Sequence, residues 1–460
     1  MKRILIMELF LNTYKSAVFF KSKEPDVSTL RAISVFKTKY KIRFIDFKID
    51  NPSEREIIKE INKSDFLFIN IKSYNRAISL KIIHKSIQYN SEIKIFAYGQ
   101  LPENMPQLFS EISKRVYPVR GELYEYALKF INEIDKGESN FSKLKTGTCF
   151  RKLDQIPKID LEEMKKRDYF TIYPMGAIKK NKWAFMNLSE GCPYQCIFCS
   201  QTLRISHGRK VRHFSIKGAI RRIKRIKGAG FNAIRFVDDD FLGDVEFIDK
   251  LCKQIIIENM DIKWMAQVRA DRINENVLEL MSKAGCECLN FGVESGSERI
   301  LNILKKGHNV KQIIKATQLC RKYGIKIAAY FMIGSPTETL KDIRKSIELS
   351  FELKPDVLQV CYFIPYEGSP FYENNKNLII KKKMDRRFHY SSCQDNYSKV
   401  NKLKKIYLIW NFKYYLFNLD KSIILVLSNL LFYPKRAIRI MNEAMRMVIY
   451  GTKKKESKRL

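Results

Sequence analysis

Cys192, Cys196 and Cys199 fall within eight positions of a 460-residue chain, with Phe198 immediately before the last of them. Three thiolates in one short loop can hold zinc or iron. Structural zinc takes four protein ligands, usually as two separated pairs. Here no second pair or His follows at finger spacing, and His207 and His213 are the nearest candidates. A 4Fe–4S cluster takes four thiolates. Three would leave one iron open, and an open iron in a cleft calls for a small-molecule ligand.

A loop of this kind must be carried by rigid elements, and the surrounding pattern supplies them. The segment 184–188 reads as a strand leading into the cysteines. Further strands are expected at 233–237, 264–268, 289–293, 327–333 and 357–363, with amphipathic helices between them. Each strand ends in polar, Gly or Pro residues: Asp238, Asp239 and Asp240; Arg269; Glu294 and Ser295; Gly334; Ile364 and Pro365. Parallel α/β folds bind ligands at the carboxyl ends of their strands. Six units rather than eight imply a partial, six-stranded barrel of the TIM type with an open side. Ahead of it, residues 1–135 alternate short apolar strands (3–8, 41–47, 66–71, 93–98, 116–119) with helices, which indicates a doubly wound, Rossmann-like domain. Residues 136–180 read as a linker, 181–370 as the barrel and 371–460 as a small basic α-helical region.

Composition bounds the setting. Ten cysteines in 460 residues are no disulfide scaffold, and their placement fits a reducing cytoplasm. Glu8 interrupts the apolar opening and no small-residue cleavage site follows, so a first strand is expected there rather than a signal peptide. The longest uncharged C-terminal run, 422–433, is too short to span a bilayer. The net charge of +36 invites an anionic partner, but the lysines are spread along the whole chain, which disfavours a dedicated nucleic-acid surface. Residues 401–460 carry 14 Lys or Arg against 3 Asp or Glu, interleaved with Trp410, Tyr414, Tyr415 and Phe417. This segment reads either as a peripheral membrane segment or as a helical lid over the open barrel, and the lid is favoured.

CxxxCxxC with an aromatic before the last Cys resembles the signature of the radical S-adenosylmethionine (SAM) superfamily. The resemblance extends to about residue 370 through "FVDDDFLGD", "WMAQVRAD", "AGCECLNFGVESGSERILNILKKG", "YFMIGSPTET" and "YFIPYEGSPFYE", in the order shown by members with an N-terminal cobalamin-binding domain. It implies a 4Fe–4S cluster on Cys192, Cys196 and Cys199, with SAM on the open iron. The cluster then cleaves SAM reductively to a 5′-deoxyadenosyl radical, which abstracts a substrate hydrogen. It further implies that Phe198 packs near the adenine and that an Asp of the acidic run, Asp238 or Asp239 among them, binds the methionine amine. Arg269 would meet the methionine carboxylate, Glu294 or Ser295 the ribose, and Ile364 and Pro365 the adenine.

Each residue also has a plainer reading: the acidic run as a solvated turn, Arg269 as a partner of Asp271, Glu294 as a helix cap. Cys252, Cys286, Cys288, Cys320 and Cys361 read as core thiols. The resemblance implies an electron donor such as flavodoxin or ferredoxin and a small-molecule, lipid or peptide substrate. It also implies cobalamin and methyl transfer to carbon, although Tyr98–Leu101 replace the usual Gly-Gly-x-His and the Asp-x-His-x-x-G signature is missing. A cobalamin-free radical oxidoreductase or cyclase is the alternative, and a zinc-stabilised basic protein that binds nucleic acid the competing class.

Overall fold

The computed structural model describes residues 1–10, 23–135, 152–167, 169–171, 181–199, 210–381 and 397–418. Five strands open the chain: β1 (Arg3–Glu8), β2 (Lys41–Asp46), β3 (Phe66–Asn70), β4 (Lys94–Tyr98) and β5 (Val116–Pro118). They pair in parallel in the order β2-β1-β3-β4-β5. Helices cover both faces, which explains why β3 is apolar from Phe66 to Ile69 and buried at every position. Local signals set the intervening helices. Asp26 caps helix Val27–Phe36 through the Thr29 amide (3.1 Å), and Ser53 and Glu56 form a capping box on helix Glu54–Asn62. The strand order reverses between β1 and β3, the place where such sheets bind ligands.

Continuing along the chain, β6 (Trp183–Met186) leads to a short antiparallel ladder, β7 (Ser189–Glu190) with β8 (Arg212–His213). It is followed by β9 (Ala233–Phe236), β10 (Lys263–Val268), β11 (Cys286–Glu294), β12 (Lys326–Ile333) and β13 (Val357–Tyr362). Apart from the ladder these form one parallel sheet of six strands, ordered β13-β12-β11-β10-β9-β6. Consecutive order with helical crossovers is the pattern of a partial barrel. The expected strands are all present, with ends moved by one to three residues. β11 begins earlier than expected because Gly285 turns at φ +91°, which sets Cys286 opposite Trp264.

The two sheets share one apolar core that runs from Ile4 to Tyr414. Part of the stretch expected as a linker helps to weld them. Leu153, Ile156, Ile159, Leu161 and Met164 are buried in that core. The Asp160 amide donates to Leu30 O (3.1 Å) on one side, and Arg222 and Arg225 donate to Ile156 O and Ile159 O (2.8 and 2.9 Å) on the other. Residues 136–151, 168 and 172–180 of that stretch lie outside the described ones.

Helix Tyr397–Phe417 packs on the edge strand β13 and on helix Leu340–Leu353. Trp410 is buried and donates to Ser350 Oγ (2.9 Å). The Tyr415 hydroxyl accepts from the Leu358 amide (3.1 Å) and donates to the Leu358 carbonyl (2.9 Å). This helix therefore covers the edge of the sheet, as a lid would. The apolar run 422–433, on which the membrane reading rested, lies outside the described residues. No helix among those described is long and apolar enough to cross a membrane.

Candidate active site

The cysteine loop leaves β7 at Glu190 and is held over the carboxyl ends of the barrel strands. The Ile197 amide donates to Leu304 O (3.1 Å), and the Phe371 amide donates to Ile197 O (3.0 Å). Below it, Ile300, Leu304, Met332, Phe363 and Phe371 form a small buried apolar cluster on which Ile197 and Phe198 rest. Cys192, Cys196 and Cys199 form no disulfide, Cys196 buried and the other two half-buried. Burial, opposed by the Tyr194 amide and helped by Asp240 and Asp239, raises the Cys192 thiol above its ordinary range. The trio is spaced along its loop. Among the described residues no three His, Cys, Asp or Glu side chains are grouped as for a single ion.

The three aspartates after β9 divide their work. Asp238 Oδ1 accepts from the Leu188 and Ser189 amides (2.9 and 2.5 Å) and from Ser189 Oγ (2.6 Å). Asp239 Oδ2 accepts from the Gly191 amide (2.9 Å). These two carboxylates fix the entrance to the cysteine loop. Asp240 is buried, and neither of its oxygens has a hydrogen-bond partner. Burial pushes its carboxyl up, against the pull of Arg269, Arg272 and Lys306. An unpaired buried carboxylate is costly, and its chemistry suits a cationic ligand group. The sequence could not distinguish these three neighbours, because the difference lies in which backbone amides lie opposite each one.

Arg269, at the end of β10, pairs with Asp271 through both Nε (3.0 Å) and Nη2 (3.2 Å), so the expected ion pair exists. It does more than pair. Its guanidinium lies 3.5 Å from the ring centroid of Tyr194 in the cysteine loop and donates to Lys306 O (2.5 Å). Glu294 ends β11 at φ +63°, beyond a register shift at Gly292. Such a bulge re-aims a side chain at the cost of local strain. Here it turns Glu294 onto Lys306 Nζ (2.9 Å), and a Cβ on Gly292 would lie 2.7 Å from both Glu294 Oε1 and Lys306 Nζ.

Ser295 is fully buried, 3.2 Å from Ser346 Oγ, and accepts from the Ser297 amide (3.1 Å). Its hydroxyl shapes the turn after β11. Pro365 is buried and Ile364 half-buried at the end of β13. Cys252, Cys286, Cys288 and Cys320 are buried in the core, as expected. Cys361 is instead exposed on β13.

Three residues of the site escaped the sequence reading. Lys306 is buried in the turn after helix Glu298–Ile303, with Nζ 5.7 Å from the Phe198 ring centroid. His308 is buried 3.9 Å from Asp271, and burial together with the Lys306 and Arg269 charges pushes it down to about 3, so it is neutral. Tyr194 bridges the loop to Arg269 and accepts from Arg272 Nε (2.7 Å). The one available signal was "LKKGH", a glycine turn twelve residues after a strand-end carboxylate.

The N-terminal domain faces this site through its own carboxyl edge. Ser73 donates to Glu367 Oε2, and Gln100 Nε2 donates to Glu367 O (2.8 Å), just past β13. Arg31, from helix Val27–Phe36, reaches Asn187 Oδ1 (2.6 Å) and Glu190 Oε1 (3.6 Å) at the root of the cysteine loop. On that edge Asn70 Oδ1 is buried without a partner, and Gly99, at φ +99°, keeps a side chain out of the adjoining space. His84, the only His of the domain, is exposed on helix Arg76–Tyr89.

Six parallel strands thus lie with three thiols over their carboxyl ends and a doubly wound domain facing them. Residues 186–350 match the Radical SAM superfamily. An uncharacterised methyltransferase of Pyrococcus horikoshii is 31% identical over 207 residues, 44% of this chain and 45% of that protein. The anaerobic magnesium-protoporphyrin IX monomethyl ester cyclase of Rubrivivax gelatinosus is 23% identical over 286 residues, 58% of this chain and 50% of that one. These matches span about half the length of either relative. The solved structure of OxsB, a cobalamin-dependent S-adenosylmethionine radical enzyme with aqua-cobalamin and S-adenosylmethionine bound, superposes with a TM-score of 0.67. It has 15% identity and covers 97% of this chain and 75% of that one. The shared fold spans both domains. The family implies a 4Fe–4S cluster and SAM.

Proposed function

We propose that this protein is a radical SAM enzyme that uses a corrinoid in its N-terminal domain to methylate a carbon of a small metabolite, lipid or peptide. The observation that carries the SAM site is the partnerless Asp240 carboxylate beside a cationic cluster at the cysteine loop. SAM carries an ammonium, a carboxylate and an adenosyl group. Asp240 would take the ammonium, Arg269 and Lys306 the carboxylate, Glu294 the ribose, and Phe198, Ile364 and Pro365 the adenine. Asp238, Asp239 and Ser295 act as positioning residues. Cys192, Cys196 and Cys199 would hold the cluster, whose chemistry when bound is one-electron cleavage of SAM to a radical that takes a substrate hydrogen. The protein holds the reacting groups in place and excludes water.

The corrinoid reading is supported by the shared two-domain fold and by the buried, unpartnered Asn70 Oδ1 beside Gly99 on the edge that faces the barrel. His84 lies away from that edge, so this domain's own sequence offers no imidazole to a cobalt there. A ring-forming, cobalamin-free oxidation is the second reading, favoured by the likeness to the ester cyclase.

The test is anaerobic reconstitution with iron and sulfide, titration with hydroxocobalamin, and gel filtration. Formation of 5′-deoxyadenosine together with about one retained corrinoid per chain is expected. Retention of none would shift the assignment to the cyclase-type reading, and about one zinc without sulfide would overturn the radical SAM site itself.

A further inference from the structure

Between Glu190 and Asp238 the chain carries eleven Lys or Arg and no Asp or Glu. At its own frequency, 49 acidic residues in 460, a stretch of that length would contain several. This segment contains the cysteine loop, and among its described residues the charge collects on helix Ile216–Gly228, which holds no acidic side chain. Lys217, Arg221 and Lys224 follow at i, i+4 and i+7 and form one exposed row, with Lys227 exposed beside it. Lys224 pairs with Glu258 of the neighbouring helix. Ile220, Ile223 and Ile226 anchor the opposite face in the core. The row is therefore rigid.

Its position relative to the cysteines follows from the two-residue ladder. β8 pairs Arg212 with Glu190, two residues before Cys192, and Arg212 Nη2 lies 3.3 Å from Glu190 Oε2. The helix starts three residues after that strand, so its amino end sits at the root of the cysteine loop. From there the basic row runs outward for roughly 17 Å at 1.5 Å per residue.

Resting on the radical SAM reading above, we infer that this face docks an acidic one-electron carrier protein, a low-potential flavoprotein or iron–sulfur protein, that recharges the cluster. Each encounter moves one electron: the carrier is oxidised by one and the cluster reduced by one, with no proton or group transferred. A cationic row beginning at the cluster's own loop steers an anionic protein to the place where the electron must arrive. A nucleic acid is the weaker occupant. None of the exposed large apolar residues among those described lies on this helix, so bases would find no stacking platform.

The test reverses Lys217, Arg221 and Lys227 to Glu together in the reconstituted full-length enzyme, leaving Lys224 and its ion pair intact. Formation of 5′-deoxyadenosine is followed with dithionite and, separately, with reduced flavodoxin or ferredoxin. The expected result is a loss of about tenfold or more in the protein-driven rate at low salt, an unchanged dithionite rate, and a wild-type protein-driven rate that falls as salt rises. The matched reversal of Lys311 and Lys315, exposed on helix Val310–Lys322, should leave both rates as they were. An unchanged protein-driven rate in the triple variant would overturn the inference. So would equal losses with both reductants, or a bulk tRNA gel shift abolished by the same reversal while donor-driven rates stand. Absence of SAM cleavage with dithionite in the wild type would instead sink the underlying enzyme reading.

Discussion

At the carboxyl edge of the N-terminal sheet, Glu8 Oε1 accepts from Thr29 Oγ1 (2.5 Å), Asn70 Nδ2 (2.9 Å) and the Tyr98 hydroxyl (2.9 Å). At the carboxyl edge of the barrel, both Asp240 oxygens are buried with no partner. The two regions share an architecture, parallel strands ending in buried acids, yet one acid is nearly saturated by its own domain and the other is left open. Saturation is what a structural polar core needs. An open, buried carboxylate is what a site prepared for a cation looks like. The comparison separates groups that hold the protein together from groups held ready for a ligand, and its predictions differ in sign for stability and for activity.

The largest effect is expected on the ready side. Changing Cys192, Cys196 or Cys199 to Ala should reduce 5′-deoxyadenosine formation to background, because losing one thiolate exposes a second iron and the cluster degrades. Iron and sulfide content should fall with it. A variant that kept full iron and activity would remove the loop from the mechanism.

Asp240→Asn should raise the SAM concentration needed for half-maximal rate by roughly ten- to a hundredfold, the usual scale for a charge-assisted hydrogen bond. It should also stabilise the apo-protein, since a buried carboxylate without partners is removed. A gain in melting temperature with a loss of SAM affinity would mark a functional site, whereas a loss in both would mark a structural one. Lys306→Met, by contrast, leaves Glu294 buried and unpaired, at about 3–5 kcal/mol. Adding Glu294→Gln should recover much of that stability without restoring SAM binding.

How much of this was legible in the sequence follows the same division. The cysteine spacing and the strand-end residues were readable because strands impose a period and end at polar residues. Arg269, Glu294 and the acidic run were all found that way. Which aspartate stays open was not readable, because Asp238 and Asp239 are consumed by amides of Leu188, Ser189 and Gly191, about fifty positions earlier in the chain. Lys306 was missed because it sits in a turn after a helix and reaches Glu294 only through the bulge at Gly292. The buried role of residues 153–164 escaped as well. Their apolar residues follow no helical or strand period, and only the two facing helices give them a core to enter.

On the saturated side, burial and then the Asp26 charge push the Glu8 carboxyl up to about 7. Its folded pKa lies above the unfolded one, so folding favours the protonated form. That contribution is fully present below pH 4.5 and is lost as pH rises through about 7. Denaturant titrations between pH 5 and 8 should therefore show stability falling with pH, by an amount on the order of 2–3 kcal/mol from this group alone. Glu8→Gln, which keeps an accepting oxygen, should remove this share of the slope while leaving SAM cleavage unchanged; the buried Asp238 and Glu338 carboxyls, pushed up to about 7 and about 8, supply slope that remains. A wild-type curve that rises across the window would contradict the assignment.

The smallest effect tests the lid. Tyr415 touches neither carboxyl edge; its hydroxyl closes both the N–H and the C=O of Leu358 on β13, groups that an edge strand otherwise exposes for pairing with another chain. Tyr415→Phe keeps the ring against the strand and removes only the hydroxyl. It should cost about 1 kcal/mol and leave SAM cleavage unaltered. Amide exchange should quicken at Leu358 and its neighbours on β13 while β11 stays protected, because the two strands sit at the edge and in the middle of the same sheet. Were helix Tyr397–Phe417 a detached surface segment, the hydroxyl would cap nothing, and the substitution would change neither stability nor exchange at β13.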